Sequence, residues 1–172
     1  MVHPLKRASL SNYWLVVWGY VLIIYLSLPF TPALLSRLYR HFGKNGLEIL
    51  FLGLSIFFLS GVYFFFKNSS LLATSLAIAL SVIILSLASF FLKLPGERIH
   101  FIEYAILGIL IRRACRLSVW PSWLALVFVF AVGVLDEFVQ ALLPNRVGEL
   151  KDIWLNLAGG FWGIGLSWLK DH

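Results

Sequence analysis

Charged residues are scarce in this sequence: they make up 13% of the 172 residues, whereas an ordinary globular domain has about 25%. Hydrophobic residues make up 60%. A soluble fold of this size must cover its surface with polar groups, so the scarcity of charge excludes an ordinary soluble domain. Lipid-facing surfaces are apolar. The composition therefore indicates an integral membrane protein.

Cysteine and acidic residues are also few. A single cysteine, Cys115, excludes an intramolecular disulfide. With 8 Asp and Glu against 14 Lys and Arg, the net charge is +6. Such an excess can indicate a nucleic-acid partner, but here the basic residues lie in short clusters between apolar runs. That placement is typical of lipid headgroup contacts and membrane topology signals, so we expect membrane lipids and no nucleic acid as partners.

Six apolar segments are candidates for transmembrane helices, since a hydrocarbon core of ~30 Å needs about 20 apolar residues. The sequence predicts an all-α integral membrane helix bundle of about six transmembrane helices. The fourth segment is short, and it is re-entrant or interfacial unless its helix begins near Glu97. Residues 1–92 form an N-terminal region of three spans without a recognised motif, and residues 93–172 carry the polar motifs. The predicted spans are Tyr13–Leu35, Leu47–Phe66, Leu71–Leu92, Ile99–Ile111, Val119–Leu143 and Ile153–Leu169.

The orientation follows from basic residues in loops, because cytoplasmic loops are enriched in Lys and Arg. Lys and Arg are evenly divided between the two sides, so we assign the orientation from the densest cluster of basic residues. Arg112, Arg113 and Arg116 lie in a predicted 112–118 loop that has no acidic residue. We therefore place this loop and both termini on the cytoplasmic side of the cytoplasmic (inner) membrane, which the chain crosses several times.

Ionisable residues are nearly absent from the first three predicted spans but recur in the C-terminal region. Inside a span each costs roughly 2.5–3.5 kcal/mol, so their presence needs a reason. Many are three or four residues apart and share a helix face. Because successive spans run in opposite directions, the start of the fourth, the end of the fifth and the start of the sixth lie on one side. This polar cluster consists of His100, Glu103, Tyr104, Asp136, Glu137, Gln140, Arg146, Asp152 and Asn156.

The polar cluster has three interpretations. Its members can simply pair with one another and fix the bundle. They can instead line a pocket for an anionic headgroup, which Arg146, Arg98 and Lys151 would attract and His100 with the carboxylates would orient or protonate. A metal site is the third, but no tight ligand spacing such as H-E-x-x-H occurs, so we predict no metal and no other cofactor.

The polar motifs follow one another in a recognisable order. A His-Phe-x-x-Tyr helix start precedes an acidic-Glu-x-x-Gln helix end, and a Pro-x-Arg loop leads to an Asp-x-x-x-Asn-x-x-Gly helix start. This order, across Glu97 to about Leu169, resembles the VanZ-like family of small bacterial membrane proteins. The segments that carry the resemblance are Glu97–Tyr104 with Leu107 and Gly108, Asp136–Gln140 with Pro144, Asn145 and Arg146, and Asp152, Asn156 and Gly159.

The resemblance implies an association with glycopeptide (teicoplanin) resistance and the bacterial cell envelope, but no particular reaction. The protein then binds or moves an amphiphile, such as a polyprenyl-linked phosphate, a lipid or a lipoglycopeptide antibiotic. Two alternatives are a membrane enzyme acting on a lipid-linked headgroup and a structural membrane assembly partner. If the polar cluster binds a headgroup, neutral substitutions such as Glu137→Gln and His100→Gln should spare folding and remove binding.

Overall fold

The protein is all-helical. The computed structural model describes residues 4–144, 146 and 148–171, with side chains from residue 12 onward, and this part of the chain contains six α-helices and no strand. The all-α class predicted from the sequence is therefore confirmed. The helices are α1 (Pro4–Ser27), α2 (Thr31–Phe66), α3 (Leu71–Phe91), α4 (Pro95–Leu117), α5 (Trp123–Leu142) and α6 (Leu150–Asp171).

Three of these helices, α2, α3 and α5, are long and apolar enough to cross a membrane, as judged over the described residues. The apolar part of α1, Asn12–Ser27, is shorter. α4 and α6 are long, but they are not apolar enough to belong to this group, because charged residues lie near both of their ends. Helix length and composition therefore support a membrane protein with three helices able to cross a membrane. The predicted number of about six is too high by this measure.

The first helix is shorter than predicted. The sequence suggests a span reaching Leu35, but α1 ends at Ser27. Pro29 disfavours the helical conformation in the residue before it, and Pro32 lies in the first turn of α2, where its missing N–H is not needed. α2 is itself interrupted at Gly43, where φ is 63° and ψ is −162°, a conformation that favours glycine.

α4 is longer than the predicted fourth span. It is one continuous helix of 23 residues. At ~1.5 Å per residue it is ~34 Å long, which is enough to cross a membrane. Arg112 Nη2 lies 3.3 Å from the Asp171 carboxylate on α6, and Arg116 pairs with the same group. The predicted 112–118 loop is thus mostly helical, because α6 supplies the counter-charge that the end of α4 needs.

α4 lies at the centre of the bundle and packs most extensively on α6. Their backbones touch at glycines of α6, among them Gly159 and Gly163. A Cβ on Gly159 would lie 2.5 Å from the carbonyl oxygen of Phe101, and one on Gly163 would lie 1.8 Å from that of Ala105. The Gly-x-x-x-Gly spacing therefore serves close helix packing within this chain.

Two apolar clusters flank α4. On one side Trp162 of α6 lies 4.8 Å from Phe58 of α2 and 5.6 Å from Phe101 of α4, measured between ring centroids. On the other side α1, α4 and α5 pack through residues such as Ile111 and Val129. Because helices surround α4, its buried polar side chains, such as His100 and Tyr104, meet protein groups rather than lipid.

Candidate functional site

The helix directions bring the start of α4, the end of α5 and the start of α6 to one end of the bundle. α4 contributes His100, Glu103 and Tyr104, and α5 contributes Asp136, Glu137 and Gln140. Arg146 lies in the segment between α5 and α6, and Asp152 and Asn156 lie in the first two turns of α6. The polar cluster is therefore assembled from three helices and one connecting segment.

Asp136 is the centre of this cluster, and its side chain is completely buried. Its Oδ2 accepts hydrogen bonds from the Tyr104 hydroxyl at 3.1 Å and from Asn156 Nδ2 at 3.4 Å. His100 Nδ1 lies 3.9 Å from the same oxygen and 3.2 Å from Glu103 Oε2. A protonated His100 would therefore be paired with two carboxylates, and one acidic group connects α4, α5 and α6.

Glu137 makes a different set of contacts. Its Oε1 accepts a hydrogen bond from Gln140 Nε2 at 3.0 Å, and its Oε2 accepts one from the backbone N–H of Glu149 at 2.9 Å. Both oxygens are thus engaged by protein donors. Through its hydrogen bond to Glu149, Glu137 connects the segment that carries Arg146 to the end of α5.

Arg146 reaches the turn between α1 and α2. Its Nη2 donates a hydrogen bond to the carbonyl oxygen of Leu28 at 3.3 Å. Beside it lies a cavity of about 330 Å³ between this turn and the α5–α6 segment. The guanidinium group of Arg146 therefore faces this cavity on one side. It is lined by Pro29, Pro32, Ala33, Leu143, Pro144 and Arg146.

Apart from His100 Nδ1 and Glu103 Oε2, which face each other at 3.2 Å, five polar atoms of the cluster are buried without a hydrogen-bonding partner among the described residues. An unpaired buried donor or acceptor costs roughly 1–3 kcal/mol, so such a concentration needs a reason. Three of the atoms accept hydrogen bonds, Arg146 Nε donates, and His100 Nε2 does either according to protonation. They are His100 Nε2, Asp136 Oδ1, Arg146 Nε, Asp152 Oδ1 and Asn156 Oδ1.

Two basic residues that the sequence suggested as anion attractors are already paired. Arg98 Nη1 lies 2.6 Å from Glu48 Oε2 of α2, and the same guanidinium donates to two carbonyl oxygens at the end of α3, at 2.8 and 3.1 Å. Lys151 pairs with Glu97. Arg98 and Lys151 thus have acidic partners within this chain, and their attraction of a ligand stays a prediction. Arg146 keeps one donor, Nε, that has no partner among the described residues.

Two tyrosines of α1 lie next to the cluster, although sequence reasoning did not include them. Tyr20 donates a hydrogen bond to the carbonyl oxygen of Glu103 at 3.1 Å, and Tyr25 donates one to that of Val132 at 3.0 Å. They attach α1 to α4 and α5 beside the buried carboxylates. The available signal was two tyrosines in the middle of a largely apolar span.

Metal ligation has no support in the geometry of the described side chains. Within residues 12–144, 146 and 148–171, no group of three or more His, Cys, Asp or Glu residues is arranged to hold a metal ion. The chemistry that the cluster does offer is hydrogen bonding, charge pairing and proton exchange at His100.

Comparison with known families extends the resemblance seen in the motifs. The family model described as VanZ/LLP1 matches residues 7–171. The match therefore includes α1, α2 and α3 as well as the segments that carry the motifs. Comparisons with curated proteins and with solved structures gave no match.

Proposed function

Because the chain belongs to the VanZ/LLP1 family, we propose that it is a multi-pass protein of the bacterial cytoplasmic membrane whose polar cluster binds the headgroup of an amphiphile. In this proposal all six helices cross the bilayer, with α4 and α6 shielded by their neighbours. The ligand belongs to cell-envelope biology. Candidates are a polyprenyl-linked phosphate, a membrane lipid and a lipoglycopeptide antibiotic.

The observation that carries this proposal is the set of five unpartnered polar atoms in the cluster. A cluster built only to hold helices together would satisfy its own donors and acceptors. Arg146 Nε fits an anionic oxygen of a ligand, such as a phosphate. The free acceptors on Asp136, Asp152 and Asn156 fit hydroxyl, amide or ammonium groups. The chemistry favours a headgroup that combines one anion with several hydrogen-bond donors.

The cavity beside Arg146 supports access for such a headgroup. It lies between the α1–α2 turn and the α5–α6 segment, at the end of the bundle that carries the cluster. Apart from Arg146 its lining is apolar. An amphiphile could therefore place its anion on Arg146 while its apolar part stays beside the proline-rich turn.

A second candidate is a membrane enzyme, and the environment of His100 favours it. The two carboxylates face Nδ1, while Nε2 is buried and has no partner in the part of the chain that the structure describes. A carboxylate on one imidazole nitrogen fixes the ring and leaves the other nitrogen to move a proton, as in general acid–base catalysis. The fate of the ligand distinguishes the two candidates, since an enzyme releases it chemically changed and a binding protein releases it unchanged.

Native mass spectrometry of the purified protein tests the binding proposal. We expect a phospholipid or polyprenyl phosphate to co-purify with the wild-type protein. Arg146→Gln should reduce its retention about tenfold, because a hydrogen bond to a charged group contributes roughly 1.5–3 kcal/mol. Arg37→Gln, which removes the same charge from an exposed position on α2, is the control. Equal retention in both variants would contradict the role of Arg146.

Cysteine labelling tests the proposed orientation, in which the α4–α5 turn is cytoplasmic. A cysteine at Ser122 should react with a membrane-impermeant maleimide only after lysis, whereas one at Lys44, near the opposite end, should react in intact cells. Cys115 is buried and can be replaced to remove background. The reverse pattern would invert the protein and place the polar cluster in the inner leaflet.

A further inference from the structure

At the end of the bundle opposite the polar cluster, two cations lie over one aromatic ring. Arg113 Cζ of α4 is 5.6 Å from the centroid of the Phe65 ring, and Lys170 Nζ of α6 is 5.1 Å from the same centroid. Lys170 Nζ also donates a hydrogen bond to Ser69 Oγ in the α2–α3 turn, at 3.2 Å. The two positive charges are thus held beside the last turn of α2.

These two cations lack acidic partners within the described chain. The acidic residue nearby, Asp171, pairs with Arg112 and Arg116 instead. Among the described residues, the ring contacts and the hydrogen bond of Arg113 and Lys170 are with aromatic side chains and one hydroxyl group. Their charges therefore remain available to an anion at the membrane surface.

An apolar groove begins at the ring that the cations cover. It lies between α2 and α4 and has a volume of about 250 Å³. On α4, Arg113 is four residues beyond Ile109, or ~6 Å along the helix. On α2, Phe65 is the groove residue nearest the cations, and Phe57, at the other end, is 73% exposed on the outer surface of the bundle. The lining residues are Phe57, Phe58, Gly61, Val62, Phe65, Ile106 and Ile109.

We propose that this groove and the two cations form a binding site for an anionic phospholipid of the surrounding bilayer. The phosphate lies against Arg113 and Lys170, and one acyl chain lies in the groove between α2 and α4. A free anion would make no use of the apolar walls. A zwitterionic lipid would bring its ammonium group toward two positive charges, whereas an anionic headgroup gains from both.

This site is independent of the headgroup proposal for the polar cluster. It uses the last turns of α4 and α6 and the second half of α2, whereas the polar cluster uses the first turns of α4 and α6. Substitutions in one site leave the other untouched, so each can fail alone.

Lipid binding to the purified protein in detergent tests the cations. Native mass spectrometry should show phosphatidylglycerol retained in preference to phosphatidylcholine, and Arg113→Gln and Lys170→Gln should each lower its affinity about fivefold. Lys93→Gln is the matched control, since Lys93 also lies over a phenylalanine ring, at 5.4 Å, but at the other end of α3. Equal affinity for the two lipids, or an equal loss in the control, would overturn the proposal.

A second pair of variants tests the groove. A Cβ at Gly61 meets no atom within 4 Å, so Gly61→Leu fits the fold and fills the groove. Gly53 is equally open and lies on the same helix outside the groove lining, so Gly53→Leu is its control. We expect only Gly61→Leu to lose phosphatidylglycerol, with both variants melting like wild type. If glycerol phosphate alone competes fully, or if Gly61→Leu binds normally, the lipid assignment is wrong.

Discussion

Gly163→Ala is expected to lower the stability of the protein by at least ~3 kcal/mol, the upper part of the range for overpacking. The new methyl group would lie 1.8 Å from the carbonyl oxygen of Ala105 and 3.0 Å from the backbone nitrogen of Ile109. Both atoms belong to the backbone of α4, so no rotamer change relieves the clash. α4 and α6 would have to separate, which disturbs the core of the bundle and both ends of the two helices.

Gly165→Ala provides a matched control on the same helix. A Cβ there meets no atom within 4 Å, and alanine is favoured over glycine in a helix by about 1 kcal/mol. Thermal melting in detergent, followed by size-exclusion chromatography, should therefore show Gly165→Ala at or above wild type and Gly163→Ala far below it. If both variants melt together, the two helices do not approach as closely as described.

Contacts within one helix were the most predictable part of the site. Residues three or four apart share a face whatever the tertiary structure. His100 and Glu103 lie 3.2 Å apart, and Gln140 bonds Glu137 at 3.0 Å. The alternation of apolar segments also predicted which helix ends lie together.

Contacts between distant segments could not be predicted from the same patterns. The pair of Arg98 with Glu48 joins residues 50 positions apart, and no periodicity relates them. It makes Arg98 part of the packing of α2, α3 and α4, although the sequence presents it as one more basic residue near the cluster. Likewise, α4 extends beyond its apolar core because Asp171 of α6 pairs with both Arg112 and Arg116. The hydropathy of the sequence gives no sign of this pairing.

The two adjacent carboxylates of α5 show the same limit. The sequence alone treats Asp136 and Glu137 as equivalent and suggests Glu137→Gln as a neutral probe. In the structure both oxygens of Glu137 accept hydrogen bonds, one of them from the backbone of Glu149. Glutamine has only one acceptor oxygen, so this substitution either breaks one of the two bonds or forces the Gln140 amide to turn over, and in both cases it disturbs the attachment of the α5–α6 segment. Glu137→Gln therefore tests the fold more than the ligand.

Asp136→Asn is the sharper probe, and we expect it to spare folding. Asp136 Oδ2 accepts hydrogen bonds from Tyr104 and Asn156, while Oδ1 has no partner among the described residues. The amide oxygen of asparagine can replace Oδ2 and keep both bonds, and its NH₂ group then takes the place of Oδ1. The substitution removes the negative charge next to His100 and replaces an acceptor that faces no protein donor.

If the cluster binds a headgroup, Asp136→Asn should reduce ligand retention about 30-fold or more, since losing one partner of a buried charged pair costs roughly 2–5 kcal/mol. His100→Gln should act similarly, because it removes the imidazole that faces Glu103 at 3.2 Å and Asp136 at 3.9 Å and leaves an uncharged amide in its place. Tyr104→Phe is the contrasting variant: it removes a donor to Asp136 Oδ2 and leaves the charge in place, so it should affect melting more than retention. Native mass spectrometry measures retention, and melting in detergent measures folding.

If Asp136→Asn and His100→Gln melt early and lose ligand only in proportion to the folded protein that remains, the cluster is a scaffold. The assembly interpretation then replaces the headgroup site.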